Sequence, residues 1–155
     1  MFLSDVRENL GGNLEYMYNI IPDDKFKKII STKPDRRVNR KLLDKIKLIY
    51  NLTTSKYIFL DDFSRITSYM RVRKNQELIQ LWHGPGAFKK FGHSRALDNS
   101  GDLKKIHPGY KRYTKAITSS EEIRNCYAEA FSINIDKVKA TGFPRTDLFF
   151  NQEEI

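Results

Sequence analysis

Cysteine, with tryptophan, is what the chain has least of. Cys126 stands alone among 155 residues, which excludes an intramolecular disulfide framework and a cysteine-rich zinc site and fits a reducing, cytoplasmic compartment. No apolar run approaches the ~20 residues that a bilayer-crossing helix needs. Met1-Phe2-Leu3 passes at once to Ser4-Asp5 and Arg7-Glu8, so no signal peptide is expected. Carboxylates are few beside cations, 19 against 28, and the formal charge of +9 implies anionic partners: nucleic acid, an anionic membrane surface or phosphorylated substrates. Internal repeats and low-complexity tracts are also missing. Hydrophobic residues still reach 39% and aromatics 12%, enough for a folded core, and the length suits one domain or one half of a larger enzyme.

Apolar β-type runs alternate with helical periodicities along the chain. Phe2 to Asp5 reads as the end of a strand, an abrupt start that implies either a gene beginning at its first strand or upstream sequence that is missing. Asn13 is placed to cap a helix over 14–21 that Pro22 stops, and Phe26 to Ile30 reads as a second strand. Val38, Leu42, Leu43, Ile46, Ile49 and Tyr50 recur at helical spacing and form a clear apolar face. Arg40, Lys41, Lys45 and Lys47 opposite them read as a solvated helix surface, ahead of a membrane or nucleic-acid role. Tyr57 to Leu60 is a strand ending in Asp61 and Asp62, a pair that could bind metal, act as base, or cap a helix over 63–69. Leu78 to Trp82 is the central buried strand. The polar stretch 93–109 is too long for a simple connector and is expected to be functional or mobile. Tyr113 to Thr118 is a further strand, Ser119 and Glu122 fit a capping box, and Ile123, Cys126, Tyr127 and Ala130 form a buried stripe that makes Cys126 an inert core thiol. Val138 to Thr141 is the last strand. This alternation predicts an α/β fold, a Rossmann-like doubly wound parallel sheet.

The stretch from Glu77 to Gly92 concentrates the chemistry. An apolar strand turns through Gly84, Pro85, Gly86 and Gly92 into a loop carrying His83, Lys89 and Lys90, the way open α/β sheets build ligand sites. A strand-end imidazole can deprotonate a hydroxyl near neutral pH, or it can simply be hydrogen-bonded into the loop; position alone leaves both open. Gly84, Gly86 and Gly92 allow backbone N–H groups to approach phosphate oxygens, yet the pattern is neither Walker A nor the dinucleotide fingerprint. Lys89 and Lys90 could neutralise phosphates and Arg145 could clamp one bidentately; any one taken singly reads first as a solvated surface cation. His93 and His107 have no partner at metal-ligand spacing, so no metal is assigned.

Gln80 to Gly92 (QLWHGPGAFKKFG) closely resembles the Trp-His-Gly segment of the CDP-glycerol glycerophosphotransferase family, the teichoic acid polymerases and primases. Thr118 to Phe131 is similar to that family's strand and following helix, Thr141 to Asp147 to its Gly-x-Pro-Arg-x-Asp segment, and Tyr57 to Asp62 fits as well. The resemblance implies a GT-B architecture, of which residues 1–143 would be the N-terminal, acceptor-side half and 144–155 the start of the interdomain linker, with the donor-binding half absent and the chain inactive alone. It implies transfer of a polyol phosphate from CDP-glycerol or CDP-ribitol to the terminal hydroxyl of an anionic polyol-phosphate acceptor, lipid-linked or free, with release of CMP and without a cofactor. The polymer would be a teichoic acid or a related wall or capsular polymer. His83 would be the base or would stabilise the transferring phosphate, with Gly84, Gly86, Lys89, Lys90 and Arg145 binding substrate. A peripheral place on the cytoplasmic membrane face is implied too. The alternatives are a GT-B glycosyltransferase using a nucleotide sugar and a non-catalytic module binding anionic polymer or membrane. A nucleic-acid binder has charge in its favour and no recognition module.

Overall fold

The computed structural model describes residues 1–95 and 108–150. Six short strands alternate with helices: β1 (Phe2–Ser4), α1 (Asn13–Ile20), β2 (Ile30–Thr32), α2 (Leu42–Thr54), β3 (Tyr57–Leu60), α3 (Arg65–Tyr69), β4 (Glu77–Gln80), β5 (Lys115–Thr118), α4 (Arg124–Phe131) and β6 (Val138–Ala140). They form one sheet in the order β2-β1-β3-β4-β5-β6 with every pairing parallel, the doubly wound arrangement the alternation predicts. A 3-10 turn over Pro108–Arg112 leads into β5, another over Ile135–Lys137 into β6, and a longer one over Pro144–Phe150 follows it.

Strand alternation sends side chains to two cores. Leu3, Ile58, Leu60, Leu78, Ala116 and Val138 face the helices that bury Leu48 and Leu52 of α2 and Tyr127 and Phe131 of α4. Phe2, Phe59 and Leu81 point the other way, toward Leu14 of α1. The order reverses between β1 and β3, so the crevice beyond their C-terminal ends is where such a sheet receives ligands.

Several local expectations shift. The second strand begins at Ile30, not Phe26, and lies at the sheet edge. Asn13 is the first residue of α1, with Gly12 at N-cap, and its amide is engaged elsewhere. Ser119 and Glu122 form no capping box: α4 begins at Arg124 without a side-chain cap, and the Ser119 hydroxyl donates to Pro85 O at 2.5 Å. Cys126 is exposed, because α4 turns Tyr127, Ala130 and Phe131 to the core, which leaves Cys126 on the solvent side. The apolar face of α2 is not core either. Leu48 and Leu52 alone in that helix are buried, whereas Leu42 is 72%, Leu43 78% and Ile46 56% exposed. The centre of the polar stretch 93–109, including His107, and the last five residues of 144–155 lie outside the described residues.

Candidate functional site

β4 ends at Gln80, and Leu81, Trp82 and His83 then leave the C-terminal edge of the sheet. Trp82 has φ +55°, a left-handed conformation that costs a bulky residue roughly 1–3 kcal/mol. Its neighbours hold it there. Gln80 Oε1 accepts the Trp82 N–H at 2.9 Å, and Asn13 Nδ2 donates to the Trp82 carbonyl at 2.8 Å. The indole stacks on Phe91 at 4.8 Å between centroids and meets Phe131 edge-on at 5.4 Å. With the indole sunk into the core, the next residue is turned outward. The His83 imidazole is exposed, lies 4.4 Å from the Trp82 ring at 31°, and forms no hydrogen bond to a described residue.

Glycine-loop carbonyls tie the segment after His83 to α4 and to the end of β5. Tyr127 Oη donates to Gly84 O, and burial pushes this phenol up to about 12. A Cβ on Gly84 would meet nothing within 4 Å, so space is open beside His83. Gly92 is different. Its φ is +54° and a Cβ would lie 2.2 Å from Ala130 O, the carbonyl that accepts the His93 N–H at 2.8 Å. Gly92 thus serves close packing on α4, while Gly84 leaves room for a ligand. Lys89 and Lys90 ride on the exposed part of the loop beside Phe88, itself 96% exposed.

Arg145 reaches the same edge through Asn13. Gly142, with φ +83°, turns the chain after β6, and the Arg145 N–H donates to Asn13 Oδ1 at 3.2 Å. One buried amide therefore grips the carbonyl of Trp82 and the backbone of Arg145, fixing His83 and Arg145 on a shared frame. Its orientation follows from the network, since two carbonyls need the NH2 end and an N–H needs the oxygen. The sequence offered Asn13 only as a helix cap.

Next to this edge, at the crevice between β1 and β3, lies a set of ion pairs. Arg7 Nε bonds Asp61 Oδ2 at 2.8 Å, Arg36 pairs with Asp62, and Asp5 takes Arg40 at 3.2 Å and Lys33 at 3.9 Å. Burial pushes the Asp61 carboxyl above the usual carboxylate range, against the opposing pull of Ser4 and Arg7. Its Oδ1 is buried without a hydrogen-bond partner among the described residues. Asp61 therefore does not cap α3, whose N-cap is Ser64, and Asp62, besides its pair with Arg36, accepts the adjacent Phe63 N–H at 2.6 Å. No group of three potential metal ligands occurs among the described residues.

Residues 1–155 match the family model described as CDP-Glycerol:Poly(glycerophosphate) glycerophosphotransferase. The chain is 41% identical over 154 residues to a teichoic acid poly(ribitol-phosphate) polymerase of Bacillus spizizenii, covering 98% of this chain and 25% of that protein. It is 42% identical over 157 residues to the teichoic acid ribitol-phosphate polymerase TarK of Staphylococcus aureus, covering 98% and 30%. A teichoic acid glycerol-phosphate primase of Bacillus subtilis is 30% identical over 112 residues, 70% of this chain and 29% of that protein. The solved structure of the wall teichoic acid polymerase TagF has the same fold, with a TM-score of 0.67 over 97% of this chain and 39% of that one, at 16% identity. The chain thus spans a quarter to three tenths of the length of these curated relatives.

Proposed function

The chain belongs to the CDP-glycerol:poly(glycerophosphate) glycerophosphotransferase family, and on that premise we propose that it is the acceptor-side half of a polyol-phosphate transferase acting on a teichoic acid polymer. The observation that carries the reading is the turned-out His83, set by the strained Trp82 and held in one frame with Arg145 by Asn13. The acceptor's terminal hydroxyl attacks the β-phosphorus of a CDP-polyol. A new oxygen–phosphorus bond forms, the β-phosphorus bond to the bridging oxygen breaks, and CMP leaves with the electron pair. His83 takes the hydroxyl proton. Arg145 and the loop lysines Lys89 and Lys90 offset charge on the phosphoryl oxygens, and the open space at Gly84 lets the chain backbone approach them. The donor-binding half of the site lies outside these residues.

Ribitol is the favoured polyol. Both ribitol-phosphate polymerases named above exceed 40% identity across 98% of the chain, whereas the glycerol-phosphate primase reaches 30% across 70%. A peripheral membrane position is supported by α2, whose exposed stripe of Leu42, Leu43, Ile46, Ile49 and Tyr50 is flanked at 100° per residue by Lys45 on one side and Lys47 on the other.

The test is CMP release from CDP-ribitol and CDP-glycerol with a soluble polyol-phosphate acceptor, for this chain alone and joined to a family donor-binding half. Turnover of CDP-ribitol by the joined form alone is expected. A folded joined form that releases no CMP from either donor, yet cleaves a nucleotide sugar, would overturn the assignment.

A further inference from the structure

In a parallel sheet all entry loops meet at one edge, and here the loops entering β4, β5 and β6 are all basic. Arg71, Arg73 and Lys74 precede β4, Lys111 and Arg112 precede β5, and Lys137 precedes β6; all six line one cavity of about 430 Å³. Glu77 is its one carboxylate among the described residues, already engaged by the Thr114 hydroxyl and by Lys115 at 3.3 Å. None of Arg71, Lys74, Lys111, Arg112 and Lys137 is ion-paired with a described carboxylate. Six cations converging on one concavity repel one another unless an anion enters it. The cavity lies at the strand-entry edge of the sheet and His83 beyond the exit edge, with the whole of β4, about 10 Å of strand, between them, so the acceptor-side chemistry does not use it.

Arg71, Arg73 and Gln76 also line a second cavity, of about 420 Å³, whose other walls include Ile49, Leu52, Ile66 and Met70. That groove is apolar and opens beside the exposed stripe of α2. A basic chamber and an apolar one thus share a wall of two arginines, next to a helix face that water covers poorly.

We propose that this pair of cavities is a binding site for an anionic phospholipid, with the phosphate headgroup in the basic chamber and acyl chain in the apolar groove. The proposal rests on the peripheral membrane reading of α2 and deepens it. A phosphodiester polymer would satisfy the cations and leave the groove empty; a lipid fills both.

The test is co-sedimentation of the chain with vesicles of phosphatidylglycerol mixed into phosphatidylcholine, and with phosphatidylcholine alone. Replacing Lys111, Arg112 and Lys137 by glutamine is expected to weaken binding to the mixed vesicles about fivefold per cation, leaving binding to phosphatidylcholine unchanged. A control replacing Arg37, Arg65 and Lys139 by glutamine has the same net charge and should bind nearly as wild type. Equal losses in the two triple variants would reduce the effect to net charge and overturn the site. So would loss of soluble poly(ribitol phosphate) binding in the cavity variant with vesicle binding intact, which would make the polymer the ligand. Absence of any vesicle binding by the wild-type chain refutes the membrane reading itself, and the phospholipid site with it. CMP release, measured separately, is untouched by any of these outcomes.

Discussion

At the scale of single residues, Asn13 carries the most information. Its amide donates to two carbonyls at the β4 exit and accepts from Arg145, so no other residue of similar size replaces it. Asn13→Ala should cost roughly 2–3 kcal/mol in chemical denaturation, because it strands buried polar groups. Asn13→Asp sets carboxylate oxygens against carbonyl oxygens and should destabilise more at neutral pH. It should recover on acidification, when the protonated acid donates again. Asp61 gives a second pH signature. Burial raises its carboxyl above the unfolded value, so the folded state is penalised at pH above the folded pKa, and the penalty fades as pH falls toward the unfolded pKa. Arg7→Ala removes the partner that offsets this, and Arg7 is 37% exposed, so a loss of roughly 1–2 kcal/mol is expected near neutrality. The loss should shrink in mildly acidic buffer; a loss independent of pH would show that the pair does not govern Asp61. The sequence displayed Asp61 and Asp62 plainly and hid their partners, because Arg7 follows β1 and Arg36 follows β2, and both reach the end of β3 only once the three strands lie side by side.

At the scale of elements, the loop from Gly84 to Gly92 is a strap fixed at its two ends. Gly92→Ala meets Ala130 O and a positive φ together, and should lower stability by ~2 kcal/mol or more. Gly84→Ala meets nothing, so its melting temperature should match wild type while its turnover falls if substrate approaches there. Equal melting losses in the two would undo the distinction between a packing glycine and a binding one. The sequence offered both for the same backbone approach to phosphate; only the approach of α4 separates them. α2 teaches the reverse. Its apolar periodicity was legible, but hydrophobic spacing does not reveal which stripe finds a partner, and the core took Leu48 and Leu52 instead. Leu42→Glu with Ile46→Glu should change stability by no more than ~0.5 kcal/mol and abolish vesicle binding. A large stability loss would mean the stripe is covered within the fold.

At the scale of the whole molecule, the parallel, doubly wound sheet followed from the alternation of apolar strands and helices, since period and strand length are local properties. The resemblance of Gln80 to Gly92 and Thr141 to Asp147 pointed to the family that residues 1–155 match. The polarity of the molecule was not legible. His83 and Arg145 share one edge of the sheet and the basic cavity the other, and that separation exists only after six strands have been laid in register. The central claim is that His83 moves the acceptor's proton. The direct measurement is CMP release by the joined, two-half enzyme carrying His83→Ala, with CDP-ribitol and a soluble acceptor. A fall of roughly a hundred- to ten-thousandfold in turnover, with folding and acceptor binding unchanged, is the predicted result. Turnover equal to that of the unsubstituted enzyme would contradict the account and return His83 to the loop as an ordinary surface residue.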